Sequence, residues 1–457
     1  MSRYDDVLDA DKLYNSLERL VARKGWRKLG ARLRKNAEGG FEYHIPAVFT
    51  EERPAVEFSK VRHNMPISEH PLASQLPKSS TRPAVVGDPV QFRRLAIPPG
   101  SPSSMNDYLN KDRGQLGLHV VSFHDATLVC LYYNHTSFDL MGWGAILTAW
   151  THELHGRGDQ VQTPLGGDPG GSEDFDPMST LGLNPTEPHI LEERKMSIPG
   201  LLGFGLRNAL DLGFYTKECR IVCIPGAFVD RLHTQALEEL KSEAARNNDG
   251  TGPEPFLSHG DVLTAWWARL MVSQIYAADS EQTITIQHAA SARKTLSGDF
   301  DTSTRPYISN LFTMLYSLIP ARELLAQPVS WLAKEIRRAI VEQGTREQVD
   351  AYFALQRQAP GRILPVFGDT GMHMMSFSNW SKADFYGHDF SPARVEAAGG
   401  APLYPSYVQS LQIPVEVPEG VLIIGQDKDR NYWLYGYRVK GLWAKVDQAL
   451  KEMDYAP

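Results

Sequence analysis

The stretch His135-Thr136-Ser137-Phe138-Asp139 sets an imidazole and a carboxylate four positions apart, between one apolar run and the start of another apolar pattern. The run before it, "VCLYYN", reads as a buried strand. Beyond it Leu140, Trp143, Ile146, Leu147, Trp150 and Leu154 recur every three or four residues, which predicts a helix with one buried face. His135 and Asp139 therefore lie on a short loop between a strand end and a helix start, a place from which side chains project into clefts. An unperturbed histidine has a pKa of about 6.5, so at neutral pH it is largely free to act as a general base. Asp139 either orients His135, as in a triad, or pairs with an arginine and braces the loop. No serine nucleophile elbow, Walker A loop or zinc-protease pair of histidines accompanies them. "HELH", His152 to His155, has too few residues between its histidines for a metal helix and reads as a solvated helix end; no metal is expected. The glycine cluster "GLLGFGLRN", residues 200 to 208, reads as a weak dinucleotide loop or a flexible segment covering a cleft.

The elements that must position this loop are set by the rest of the chain. Its 457 residues exceed the size at which one core keeps growing, so two domains are expected. A net charge of -7 excludes a general attraction to nucleic acid or to an anionic membrane. Three cysteines, Cys130, Cys219 and Cys223, show neither metal-site spacing nor a disulfide framework, and Cys130 reads as a packed, inert thiol. No secretory leader pattern and no apolar run of membrane-spanning length is present, so a soluble cytoplasmic protein is expected. Leu13, Leu17, Leu20 and Val21 predict an amphipathic helix, and "LGLHVVSFHDATLVCLYYN" predicts a hairpin turning near Asp125. A Pro/Gly-rich, acidic stretch from about 156 to 200 predicts a crossover between domains. After it come a strand at "ECRIVCIP", a helix over 226–245 and a helix in "HGDVLTAWWARLMVSQIYA". The fold class is α/β or α+β.

His135-x-x-x-Asp139, with Gly142 close behind, resembles the His-x-x-x-Asp signature of the BAHD acyltransferases and the wider chloramphenicol acetyltransferase-like superfamily. Further landmarks follow in order. "LYNSLERLVARKGWRKLGARLRKNAEGGFEYHIP" resembles the family's N-terminal helix and strand, "LTAWWARL" the helix opening the second domain's core, and "SARKTL" the segment supplying a bracing arginine. "RPYISNLF" resembles the Tyr-x-Gly-Asn stretch, with Ser309 in place of glycine. In "SFSNWSKADFYGHDFSPAR", Trp380 and Asp389 keep the nine-residue spacing between a Ser-Trp pair and the Asp-Phe-Gly-Trp-Gly loop. Departures are Asn134 for a second histidine, Leu140 for glycine, and Asp389-Phe390-Ser391-Pro392-Ala393 for Asp-Phe-Gly-Trp-Gly. Such degenerate loops are familiar in the fungal branch related to trichothecene acetyltransferases, which the chain resembles most.

The resemblance implies two chloramphenicol acetyltransferase-like lobes, each a mixed sheet flanked by helices, with a channel between them. Residues 1–155 would form the first lobe, 156–215 the crossover and 216–457 the second, with part of 370–400 packing on the first. It implies a monomeric acyl-CoA-dependent O- or N-acyltransferase, acetyl-CoA the expected co-substrate, acting on a small specialised metabolite with no nucleic-acid or membrane partner. His135 would be the general base, with Ser378 and Trp380 as oxyanion donors or acceptor-positioning groups. Asp139, Arg293 and Asp389 would support the site structurally; Ser258, at a helix start, and Arg394 would meet the phosphates of coenzyme A. A condensation-type enzyme fed by a carrier-protein thioester, and a repurposed binding protein or cyclase, are the alternatives.

Overall fold

A computed structural model of the chain describes all residues except 167–176, 215–216, 247–253, 299–301, 303, 397–399, 412–418 and 454–457. Its strands, in chain order, are β1 (Ser2–Tyr4), β2 (Arg32–Lys35), β3 (Phe41–His44), β4 (Glu57–Arg62), β5 (Ala84–Gly87), β6 (Leu116–Ser122) and β7 (Thr127–Tyr133), followed by β8 (Lys217–Ile224), β9 (Thr283–Ser291), β10 (Phe312–Pro320), β11 (His373–Asn379), β12 (Tyr407–Val408), β13 (Gly420–Gln426) and β14 (Tyr432–Val439). They form two mixed sheets and a separate hairpin of β2 and β3. The smaller sheet has the order β12-β1-β7-β6-β4, and the larger β10-β9-β11-β13-β14-β8-β5. Within them β4 runs parallel to β6, and β11 runs parallel to both β9 and β13.

Each sheet buries one face under helices. On the smaller sheet the helix Ala10–Ala22 is started by Asp9, whose side chain accepts from the Asp11 and Lys12 backbone N–H groups. It sends Leu13, Leu17, Leu20 and Val21 into a core shared with the helix Leu140–Leu154. On the larger sheet the helices Gly226–Arg246, His259–Ser273, Val329–Gln343 and Leu442–Glu452 contribute to a second core around Trp267, Leu332 and Trp443. A third apolar cluster lies between the sheets, joining Leu128 and Cys130 of β7 to Ile221 of β8, Ile424 of β13 and Trp433 of β14.

The two lobes do not divide the chain at the crossover alone. β5, from the N-terminal part, adds an edge strand to the larger sheet by pairing Ala84 with Cys223, and β12, from the C-terminal part, pairs Tyr407 with Arg3 in the smaller one. Phe390 and Ala393 likewise pack in the first lobe's core. Strand pairing thus crosses the expected boundaries 1–155 and 216–457 in both directions. The segment read as a glycine loop, residues 200 to 208, is instead part of the helix Ile198–Phe214. Its glycines cost helix propensity, but Leu201, Leu202 and Leu206 are good formers, and the Arg207 guanidinium ties the helix to the Gly371 carbonyl at 2.6 Å. Of the crossover 156–215, residues 167–176 and 215 lie outside the described residues.

Candidate active site

β7 delivers the polar loop, and the helix Leu140–Leu154 receives it. Asn134, at the strand end, accepts the Thr136 N–H on its side-chain oxygen at 3.1 Å and the Ser137 N–H on its backbone carbonyl at 3.0 Å, closing a tight turn. Buried Gln115 holds the turn from β6's side: its carbonyl takes the Asn134 N–H at 3.3 Å and its side chain the Ser137 hydroxyl at 3.0 Å. Asp139 then caps the helix by accepting the Gly142 N–H at 2.9 Å. His135 is left exposed on the loop and lines a cavity of about 1060 Å³. That cavity is walled from the first lobe by Tyr133 and Trp143, and from the second by Asn310, Phe312 and Trp380. Tyr133 is fixed by stacking on Phe138 at 4.1 Å, and burial raises its phenol pKa.

Asp139 does not serve His135. Both its oxygens are taken by a bidentate pair with Arg293 (2.8 Å to each), by the Gly142 N–H, and by the Leu311 N–H at 2.8 Å. Both side chains are almost fully buried. Arg293 also donates to the carbonyls of Tyr307 at 2.9 Å and Ser309 at 2.7 Å, so the segment 307–311 of the second lobe is stitched to the His135 loop of the first. The Asn310 side-chain NH₂ adds bonds to the His135 carbonyl at 2.9 Å and the Thr136 carbonyl at 3.2 Å. From the hairpin side, the Tyr43 hydroxyl donates to Thr136 at 2.8 Å, and Lys28 contacts the Ser309 hydroxyl.

Gly142 is required by this stitching. A Cβ there would lie 2.1 Å from the Ile308 carbonyl oxygen. Gly142→Ala is expected to cost about 1 to 3 kcal/mol, as overpacking does, and to lower activity by pushing 307–311 off Asp139. Denaturant unfolding with parallel turnover measurements checks this.

Trp380 lines the cavity, and its indole N–H donates to the Ser378 hydroxyl at 2.9 Å. Ser378 sits at the end of β11 and is not itself a wall of that cavity, so its hydroxyl is oriented by Trp380 rather than presented beside His135. Asp389 organises the altered loop. It accepts the Ser391 and Leu403 N–H groups at 2.8 Å each and the Ser391 hydroxyl at 3.0 Å. Burial alone would raise its carboxyl, but these bonds and His155, 3.3 Å away, outweigh that and hold it below the ordinary carboxylate value. Pro392 falls inside a short 3₁₀ turn, Ser391–Ala393, where a fixed φ is favourable and no N–H is needed. Phe390 meets Trp150 edge-on, with centroids 5.0 Å apart.

The residues read as phosphate-binding lie elsewhere than on this cavity. Ser258 is the N-cap of the helix His259–Ser273; its hydroxyl accepts the Asp261 N–H at 3.2 Å and a bond from Arg337 at 2.9 Å. Arg394 is not a free cation for a phosphate. Its guanidinium pairs at 2.6 Å with Asp6, which is 388 positions away in sequence and invisible to any local pattern, and it also donates to the Ala401 carbonyl. Cys130 borders the cavity, but burial pushes its thiol pKa up to about 11, which keeps it protonated and inert. His155 faces Asp389, and among the described residues no three His, Cys, Asp or Glu side chains gather as a metal site. Gln115, Tyr43 and Asn310 carry no role that the sequence alone assigns. Tyr43 and Asn310 stand in stretches that carry the family resemblance, and Gln115 does not.

Residues 225–406 match the family model described as "Transferase family". "Transcriptional regulator calD" of Penicillium decumbens is 40% identical over 461 residues, covering 98% of this chain and 91% of that protein. "Acetyltransferase adrJ" of Penicillium rubens is 34% identical over 463 residues, covering 99% of this chain and 91% of that protein. Among solved structures, F. sporotrichioides TRI101, complexed with coenzyme A and T-2, superposes with a TM-score of 0.65 at 16% identity, over 99% of this chain and 92% of that one, which shows the shared two-lobed fold. Full-length relatives of this similarity, together with the His-x-x-x-Asp loop in its interlobe setting, place the chain in the BAHD acyltransferase family, and it is an acyl-transferring enzyme.

Proposed function

We propose that the protein transfers an acyl group, acetyl foremost, from a coenzyme A thioester to a hydroxyl of an uncharged specialised metabolite. The transfer is direct, within a ternary complex, with His135 as general base. One observation carries this: His135 lines the interlobe cavity while its neighbour Asp139 is saturated by other partners, so the imidazole faces the cavity without that carboxylate and is placed to take the acceptor's proton. A thiol, whose ordinary pKa is about 8.5, leaves far more readily than an alkoxide, so no covalent enzyme intermediate is needed. As oxygen attacks carbonyl carbon, His135 accepts the hydroxyl proton; as the C–S bond breaks, coenzyme A leaves as thiolate and takes that proton back. Trp380, which lines the cavity, supports a positioning role toward the acceptor, and the Ser378 hydroxyl, which accepts its indole N–H, holds the ring in place. The Ser258 helix start supports an anchor for the donor's phosphates, with Arg337, whose guanidinium is itself paired with Asp261, beside it.

The hydroxyl is favoured over an amine by the cavity's chemistry. Its described walls carry aromatic rings and no Asp, Glu, Lys or Arg side chain. An ammonium entering it would lose several kcal/mol of hydration, which cation–π contacts of about 0.5 to 2 kcal/mol do not offset. With acetyl-CoA and a panel of steroids bearing a 3-hydroxyl or the matching 3-amino group, mass spectrometry and thiol release should show acetylation of alcohols. The expected preference in kcat/KM over the amines at pH 7 is at least about tenfold. Equal rates with both would remove the preference for neutral acceptors. Saturable coenzyme A binding with no transfer to any acceptor would favour a repurposed binding protein.

A further inference from the structure

We infer that Asn310 is the positioning residue for His135, setting the direction of the base from the opposite lobe; this rests on the assignment of His135 as base. Among the described residues no hydrogen bond holds the His135 imidazole, and its ring neighbour is Tyr133, with centroids 6.2 Å apart. Its direction therefore depends on the backbone beneath it. Inside the turn, the Thr136 and Ser137 N–H groups are already taken by Asn134. The carbonyls of His135 and Thr136 turn instead toward Asn310, whose NH₂ donates to both, at 2.9 and 3.2 Å. Two converging acceptors require a group with two donors, so the partners themselves fix which way the carboxamide faces. Holding the His135 carbonyl fixes the peptide plane that follows its Cα, and with it the direction in which the Cα–Cβ bond carries the ring. Asn310 reaches that carbonyl from just before β10 in the second lobe and also borders the cavity, so the base is aligned only when the lobes meet correctly.

The role differs from that of the Asp139–Arg293 pair. The ion pair anchors the far end of the loop at the helix start, whereas Asn310 acts on the residue that does the chemistry. It also differs from space-filling, because aspartate has the same shape as asparagine but no donors, and would face two carbonyl oxygens with a third oxygen.

The test is a set of four variants in acetyl-CoA turnover with an alcohol acceptor: Asn310→Ala, Asn310→Asp, His135→Ala and His135→Ala with Asn310→Ala. Because a displacement of about 1 Å in a catalytic group costs about 10²-fold, N310A should lower kcat roughly 10- to 100-fold while leaving both KM values within about threefold. N310D should lose at least as much as N310A. In the H135A background, N310A should have no further effect on the residual rate, since a residue acting through the base has nothing left to act on. Near-normal kcat in N310D, or an undiminished N310A effect in the H135A background, would overturn the inference. If H135A itself turns over like wild type, the base assignment falls and the positioning role with it, an outcome separable from the other two by that variant alone. Should N310A fail to fold, N310D, which keeps the shape, still decides between hydrogen-bond donation and packing.

Discussion

His135→Ala should fold normally and retain coenzyme A affinity while losing at least about 10² in turnover, the lower end of what a general base contributes. The expectation of normal folding comes from position. The ring is exposed on the cavity wall, and the turn beneath it is held by Asn134, Gln115 and Asn310 rather than by the imidazole. Separation of binding from chemistry is the diagnostic feature: calorimetry with coenzyme A reads the first, single-turnover acyl transfer the second. Rapid transfer by the variant would show that another group, or water alone, takes the acceptor's proton. A misfolded variant would instead make His135 a structural residue.

Much of this site is legible in the sequence because it is local. His135, Asp139 and Gly142 sit within eight residues, and the apolar spacing from Leu140 to Leu154 marks the helix that follows. The hairpin turning near Asp125 is equally legible from the two apolar runs that flank its polar turn. What escapes a reading of the sequence depends on long-range partners. Arg394 looks like a free cation until Asp6 is brought beside it, and the Leu311 N–H that completes Asp139 is a backbone group with no side-chain signature. Ala84–Gly87 is four residues long, too short for any period, and becomes a strand only because β8 offers it an edge. The helix Ile198–Phe214 is hidden for the opposite reason. Glycines at 200, 203 and 205 look like loop punctuation, yet tertiary contacts such as Arg207 with Gly371 override their propensity.

The second large effect is expected at Asp139. Asp139→Asn leaves Arg293 buried without its counter-charge and turns an NH₂ toward donors that had shared four bonds with the carboxylate. Breaking one side of such a pair costs about 3 to 5 kcal/mol. The variant should therefore unfold at markedly lower denaturant concentration and also lose activity, since the lost bonds are those that hold 307–311 against the His135 loop. Arg293→Met should do likewise, and the two changes together should cost less than their sum, because the second removes a charge that the first left stranded. Unchanged stability in D139N would mean that the pair contributes nothing net to the fold, and strict additivity would mean that the two side chains act independently.

The exchange of edge strands between the lobes bears on how this enzyme can be divided. Each half of the chain carries a piece that completes the other half's sheet: Ala84 and Val85 cover β8, and Tyr407 and Val408 cover β1. The reciprocal lock is reinforced where the Arg82 guanidinium caps the last helix through the Leu450 carbonyl at 2.8 Å. Cutting at the crossover would strip both sheets of an edge strand at once and leave two bare ladders of N–H and C=O groups, the template on which chains aggregate. Neither half is thus a self-sufficient module that could be transplanted, swapped with a relative's or produced alone. In this chain an exchange that leaves both sheets whole falls in the loops.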